Sequence, residues 1–105
     1  MKTIRHKYGA VKVEKDGMRF DSKMEGRYYE KLKQHHKFGD LVFFLRQVPI
    51  HLPGGVKYVV DFLEFWENGE VIFTDVKGVE TKDFIMKKKL VESLYPIKVN
   101  VVKKV

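Results

Sequence analysis

The segment from residue 56 to residue 77 limits the possible folds more than any other part of this chain. Val56–Trp66 is a long run of apolar, β-branched and aromatic residues, and a second such run fills Glu70–Lys77. Asn68-Gly69 lies between them, a strong hairpin signal. Strands apolar on both faces tend to be central and covered on both sides. Each run nevertheless carries an acid: Asp61 within Tyr58-Val59-Val60-Asp61-Phe62-Leu63, and Asp75 within Ile72-Phe73-Thr74-Asp75-Val76. A carboxylate buried there is costly without a partner. Lys77 stands two residues beyond Asp75 and shares its strand face. Two acids and a lysine on adjacent central strands suit Mg²⁺ or Mn²⁺, which prefer hard oxygen ligands. The same residues also permit a buried ion pair of Asp75 or Asp61 with Lys77, and Asp-x-Lys alone is a common tripeptide.

Strand parity sharpens the choice. Opposed residues of an antiparallel pair point to one face, and faces alternate at every residue. A two-residue loop at Asn68-Gly69 would set Asp61 opposite Val76 and send the two acids to different faces. A three-residue loop, Glu67-Asn68-Gly69, sets Asp61 opposite Asp75, where two carboxylates can share one ion. Such loops commonly use a type I turn followed by a left-handed residue. A shared site therefore requires the odd loop or an equivalent bulge, with Gly69 at positive φ.

The remaining elements follow from local signals. Val11–Glu14 and Met18-Arg19-Phe20 flank the turn signal Lys15-Asp16-Gly17 and predict a small hairpin. A helix is expected from Ser22 to just before Gly39, with Met24, Tyr28 and Leu32 as its apolar stripe. Ser22-x-x-Glu25 is a capping-box pattern, so Glu25 has two possible roles: satisfying the Ser22 main-chain N–H, or reaching into a site. Leu41–Ile50 reads as a strand closed by Pro49, and Pro53-Gly54-Gly55 as a turn. A second helix is expected from Thr81 or Asp83 to Leu94, with Phe84, Leu90, Val91 and Leu94 as apolar positions and Pro96 as its stop. Ile97–Val102 is expected to be a last strand. Residues 1–8 read as a flexible basic arm ahead of a single domain, 9–105.

Composition narrows the function. With 105 residues the chain has one domain's worth of core. It has no cysteine, which rules out disulfides, thiolate metal sites and cysteine nucleophiles. No signal-peptide pattern or membrane-length apolar run is present, so a soluble cytoplasmic protein is expected. The net charge of +7 favours polyanionic partners. Lysines gather at Lys82 and Lys87–Lys89, where they form either a solvated helix face or contacts to phosphates. His35-His36 read as surface residues, and Phe65 and Trp66 as sheet or core aromatics.

A helix acid, an Asp on one strand and Asp-x-Lys on the next together resemble the PD-(D/E)xK nuclease superfamily. The resemblance is closest to short phage-encoded endonuclease-like proteins that open with Phe-Asp-Ser-Lys-x-Glu, here Phe20-Asp21-Ser22-Lys23-Met24-Glu25. It continues through Gln47-Val48-Pro49, Tyr58–Phe62, Asp75-Val76-Lys77-Gly78 and Thr81–Leu90, covering roughly Lys12 to Val102. The chain is also similar, less closely, to archaeal Holliday-junction resolvases and to end-cleaving nucleases of bacterial transposons. Val60 replaces the proline of the family name, at a position without a chemical role.

The resemblance implies a restriction-endonuclease-like α/β fold with an αβββαβ core, a mixed sheet flanked by helices. It implies Glu25, Asp61, Asp75 and Lys77 as catalytic residues, with Asp61, Asp75, the Val76 carbonyl and Glu25 around Mg²⁺ or Mn²⁺. Gln47 would support the site, and Lys23, Lys82, Lys87 and Lys88 would contact DNA. The implied activity is an endodeoxyribonuclease that nicks DNA or selects its structure, in phage DNA processing within a bacterial host, as a possible homodimer. Two rivals are a nucleic-acid-binding domain of the same fold that does not cleave, and a basic structural protein whose acids form ion pairs.

Overall fold

The computed structural model describes residues 3–5 and 11–105. Two sheets form. The smaller joins β1 (Thr3–Arg5), β2 (Val11–Lys15) and β3 (Met18–Phe20), all antiparallel. Asp16 and Gly17, at φ 52° and 75°, make the two-residue turn between β2 and β3, as primed hairpin turns require. The basic arm expected over residues 1–8 lies mostly outside the described residues, and its Thr3–Arg5 portion is paired as a strand.

Helix α1 (Lys23–Phe38) starts at Ser22, whose Oγ accepts the Glu25 N–H at 3.0 Å, and stops at Gly39 in the left-handed conformation. The second sheet has the order β4 (Leu41–Leu52), β5 (Val56–Trp66), β6 (Val71–Val76), β7 (Val99–Val102). The first three strands are antiparallel neighbours, and β7 lies parallel to β6. The crossover between β6 and β7 carries α2 (Lys82–Leu94), capped by Thr81 Oγ1 accepting from the Phe84 N–H at 3.2 Å. The fold is α/β, a mixed four-stranded sheet flanked by two helices and preceded by the small hairpin, as the sequence predicts.

Strand β4 runs through Pro49 to Leu52 rather than closing at it. As the edge strand of the sheet it turns alternate N–H groups away from any partner, so a proline is tolerated there. Strand β7 begins at Val99, two residues later than expected. On α2, Phe84 and Val91 are buried, while Leu90 and Leu94 remain largely exposed.

The helices cover opposite faces. Under α1 pack Phe20, Tyr28, Leu32, Leu41, Phe62 and Val76. Under α2 pack Leu52, Tyr58, Val60, Phe84, Val91 and Val99. Along β7 the two faces alternate normally, with Val101 on the α2 side and Val102 on the α1 side. Strand β5 breaks the rule: Val60 and Phe62, two residues apart, belong to different cores. Unbroken alternation would put them on one face. The pleat therefore reverses at Asp61. Its register partner in β4, Gln47, is missing from the paired residues and has φ 53°. The fault crosses both strands at one level, and the candidate site sits on it.

Candidate active site

Gly69 has φ 93°, and the loop is the odd one: Trp66 and Gly69 close the turn, with the Trp66 N–H donating to the Glu70 carbonyl at 2.9 Å. The register runs Phe65–Val71, Glu64–Ile72, Leu63–Phe73, Phe62–Thr74. One step further it places Asp61 opposite Asp75. There the main-chain ladder is replaced by side chains. The Asp61 N–H donates to Asp75 Oδ1 at 2.9 Å, and the Val76 N–H donates to Asp61 Oδ2 at 2.9 Å. Each carboxylate thus occupies the place of a strand carbonyl, which holds both at the point where β5 and β6 part. The N–H and C=O of one extended residue point to the same side, so the Val76 carbonyl is turned toward Asp61 as well.

Asp61 and Asp75 are 7% and 1% exposed, and Glu25 is 3% exposed. Tyr58 donates its hydroxyl to Asp75 Oδ2, and burial, with that bond adding to it, holds the phenol well above its ordinary range. Burial pushes the Glu25 carboxyl from 4.5 up to about 8, with the charges of Asp61 and Asp21 adding to the effect. Burial likewise raises Asp61 from 3.8 to about 6; the Val76 N–H opposes the rise and the charge of Asp75 reinforces it. Both shifts are first the cost of burying a carboxylate, and the neighbouring acids add to it while Lys77 opposes it.

The ion-pair arrangement is absent. Among the described residues Lys77 makes no salt bridge; its Nζ lies 5.4 Å from the centroid of the Phe84 ring. The Glu25 carboxylate is likewise not used on the helix N-terminus. Gln47 donates to its Oε1 at 3.3 Å, and Arg46 Nη2 stands 3.9 Å from the same atom. Glu25 therefore makes only the main-chain half of a capping box and turns its side chain toward the sheet. A fourth buried acid, Glu64, has a different environment: Tyr28 and Trp66 donate to its two oxygens at 2.6 and 3.0 Å, away from the other three.

Among the described residues no three His, Cys, Asp or Glu side chains converge tightly enough to cage an ion by themselves. The donor chemistry nevertheless fits Mg²⁺ or Mn²⁺ held by two carboxylates, a main-chain carbonyl and water, since Mg²⁺ ordinarily keeps several waters. Asp61, Asp75 and Val76 would hold it, with Glu25 acting through water.

The remaining expected residues divide. Lys82 is exposed near the start of α2. Lys87 lies in a pocket with Asp75 and Lys77. Lys88 is tied to Glu92 at 3.1 Å. Lys23 sits apart, in a surface hollow with Lys15 and Arg27. His35 and His36 contact Asp40 and the Leu41 carbonyl, and Phe65 stacks on Phe43 at 4.3 Å. Arg46 and Tyr58 escaped sequence reasoning. Arg46 lies over the Phe20 ring at 4.1 Å and donates to the Arg19 carbonyl, and its Nε is buried without a partner among the described residues. Its one signal in the sequence is that it interrupts the apolar run of β4. Tyr58 gives no signal, because in a strand it reads as core.

Among the described residues no helix is long and apolar enough to cross a membrane. A search of curated proteins finds no match to the chain. Residues 5–105 match the family described as "Protein of unknown function (DUF1064)", and with nearly the whole chain matched, this protein belongs to the DUF1064 family.

Proposed function

We propose that the chain is a divalent-metal-dependent endodeoxyribonuclease of PD-(D/E)xK type, acting on DNA in the bacterial cytoplasm. One observation carries the reading. Glu25, Asp61 and Asp75 are buried together, and the only salt bridge any of them makes among the described residues is Arg46 at 3.9 Å from Glu25. A buried carboxyl without a counter-charge keeps its proton, as Glu25 does up to about 8, or binds a metal that offsets the cost of ionising it. Lys77, one residue past the end of β6 and without a carboxylate partner among the described residues, is available to a phosphate.

A Mg²⁺ or Mn²⁺ bound here would polarise the phosphoryl oxygen and lower the pKa of its water. Asp61 and Asp75 hold their positions through the Val76 and Asp61 N–H groups, so their geometry is set before any ligand arrives. Glu25 orients water from the helix side. Lys77 places positive charge against the phosphate oxygens. Hydrolysis adds water across one P–O ester bond, leaving a phosphomonoester and an alcohol.

Nicking of supercoiled plasmid tests the proposal. Purified protein should convert supercoiled to relaxed DNA with Mg²⁺ or Mn²⁺, and not with chelator. Tight DNA binding with no nicking across both metals would sink the nuclease reading in favour of a binding domain.

A further inference from the structure

A pocket opens on the α2 side of Asp75, and its lining comes from three separate elements. Lys57 stands at the start of β5, Asp75 near the end of β6 with Lys77 just beyond it, and Asp83, Phe84 and Lys87 in the first turns of α2. Glu25, Asp61, Arg46 and Gln47 take no part in it. Asp75 and Lys77 therefore separate the acidic side of the site from a side where three lysines converge. Helix periodicity does not explain that convergence, since only Lys87 belongs to a helix.

We propose that this pocket is a subsite for one backbone phosphate of a nucleic-acid strand, next to the phosphate at the cleavage position, with Lys57 and Lys87 as its ligands. The inference rests on the nuclease reading only for the word cleavage; the pocket and its charge stand without it. A phosphate fits better than a base. Phe84 is 8% exposed, with its ring under Lys77, so no free aromatic face is offered for stacking.

The two ligands are available. Lys57 is exposed and makes no salt bridge among the described residues. Lys87 is 3.3 Å from Asp83, whose side chain is 68% exposed. An exposed pair of this kind is weak and readily exchanged for a phosphate. Lys88, next in sequence, is excluded: its partner Glu92 also accepts the Val99 N–H at 2.8 Å, which fastens that pair to β7. Asp83 works against the subsite, because it shares the pocket and repels an anion.

Binding and cleavage are measured side by side. With chelator present, fluorescent single-stranded and duplex oligonucleotides are titrated against the wild type, Lys57→Ala/Lys87→Ala and Lys31→Ala/Lys37→Ala. The last variant removes equal charge from exposed positions of α1, which packs on the other face. The pocket variant should lose affinity about tenfold, as for one hydrogen bond to a charged group. Its log–log salt slope should flatten by roughly 0.7–0.9, the loss of one phosphate contact. The α1 variant should bind like the wild type. Asp83→Asn, at an exposed position, should bind about twofold to fivefold tighter.

A single neutral methylphosphonate in the cleaved strand then locates the contact. It should suppress wild-type cleavage at one adjacent bond, and that suppression should vanish in the pocket variant. Equal losses in both double variants, no oligonucleotide binding at all, or suppression unchanged in the pocket variant would each overturn the subsite. Wild-type binding of the expected pattern without any cleavage would instead sink the nuclease reading and leave the subsite standing.

Discussion

The chemistry of the site turns on two carboxyl groups, Glu25 and Asp61, that burial makes reluctant to ionise. An unfolded Glu25 loses its proton near 4.5, while the folded one keeps it to about 8. Between those values the folded state binds more protons, so metal-free stability falls as pH rises. Asp61 acts in the same direction between 3.8 and about 6. The metal-free protein should therefore melt higher at pH 5 than at pH 8, and Glu25→Gln should remove most of the difference. A flat profile in the wild type, or an unchanged slope in Glu25→Gln, would contradict this. Asp61→Asn sharpens the point. Its amide oxygen can still accept from the Val76 N–H, and a negative charge beside Asp75 is gone. At pH 8 its metal-free melting temperature should equal or exceed the wild type's, with stabilisation by Mn²⁺ lost and nicking abolished. Marked destabilisation without metal would show that Asp61 serves the fold rather than an ion. The three acids were legible as candidates because each sits where an apolar or capping residue is expected. Of the partners of Glu25, Gln47 entered only through the family resemblance and Arg46 not at all, because both reach the helix from β4, far away in sequence.

At the level of elements, the β5–β6 hairpin was legible in unusual detail. Asn-Gly alone favours a two-residue turn, but two acids needing one face demand an odd loop, and Gly69 at φ 93° supplies it. Gly69→Ala should cost about 1 kcal/mol in chemical denaturation, from the left-handed conformation alone. An unchanged midpoint would mean the turn rearranges. The pleat reversal was not legible. It depends on Gln47 adopting φ 53°, and nothing in Arg46-Gln47-Val48 announces a left-handed residue. Sparsely populated backbone conformations tend to persist at functional sites, held by the surrounding structure. Comparing Gln47→Gly with Gln47→Ala isolates the backbone, since both lose the amide that bonds Glu25. The glycine variant should be more stable by about 1 kcal/mol. Equal stabilities would mean that residue 47 relaxes out of the left-handed region once its amide is lost.

Across the whole molecule, two small cores on opposite faces of one sheet leave its centre to polar groups. The reversal at Asp61 lets a single strand serve both cores, with Val60 under α2 and Phe62 under α1, and the acids emerge between them. Element order and the central strands could be read from apolar patterning and turn chemistry. The strand at Thr3–Arg5 could not, because a short basic stretch carries no strand pattern and depends on its neighbour β2 for pairing. The central claim is that this gap in the sheet holds a divalent cation. Anomalous diffraction from crystals grown with Mn²⁺ tests it most directly. The expected map has a peak within roughly 2.0–2.6 Å of carboxylate oxygens of both Asp61 and Asp75. A well-ordered site with no anomalous density between those two carboxylates, at saturating Mn²⁺ and pH 8, would contradict it.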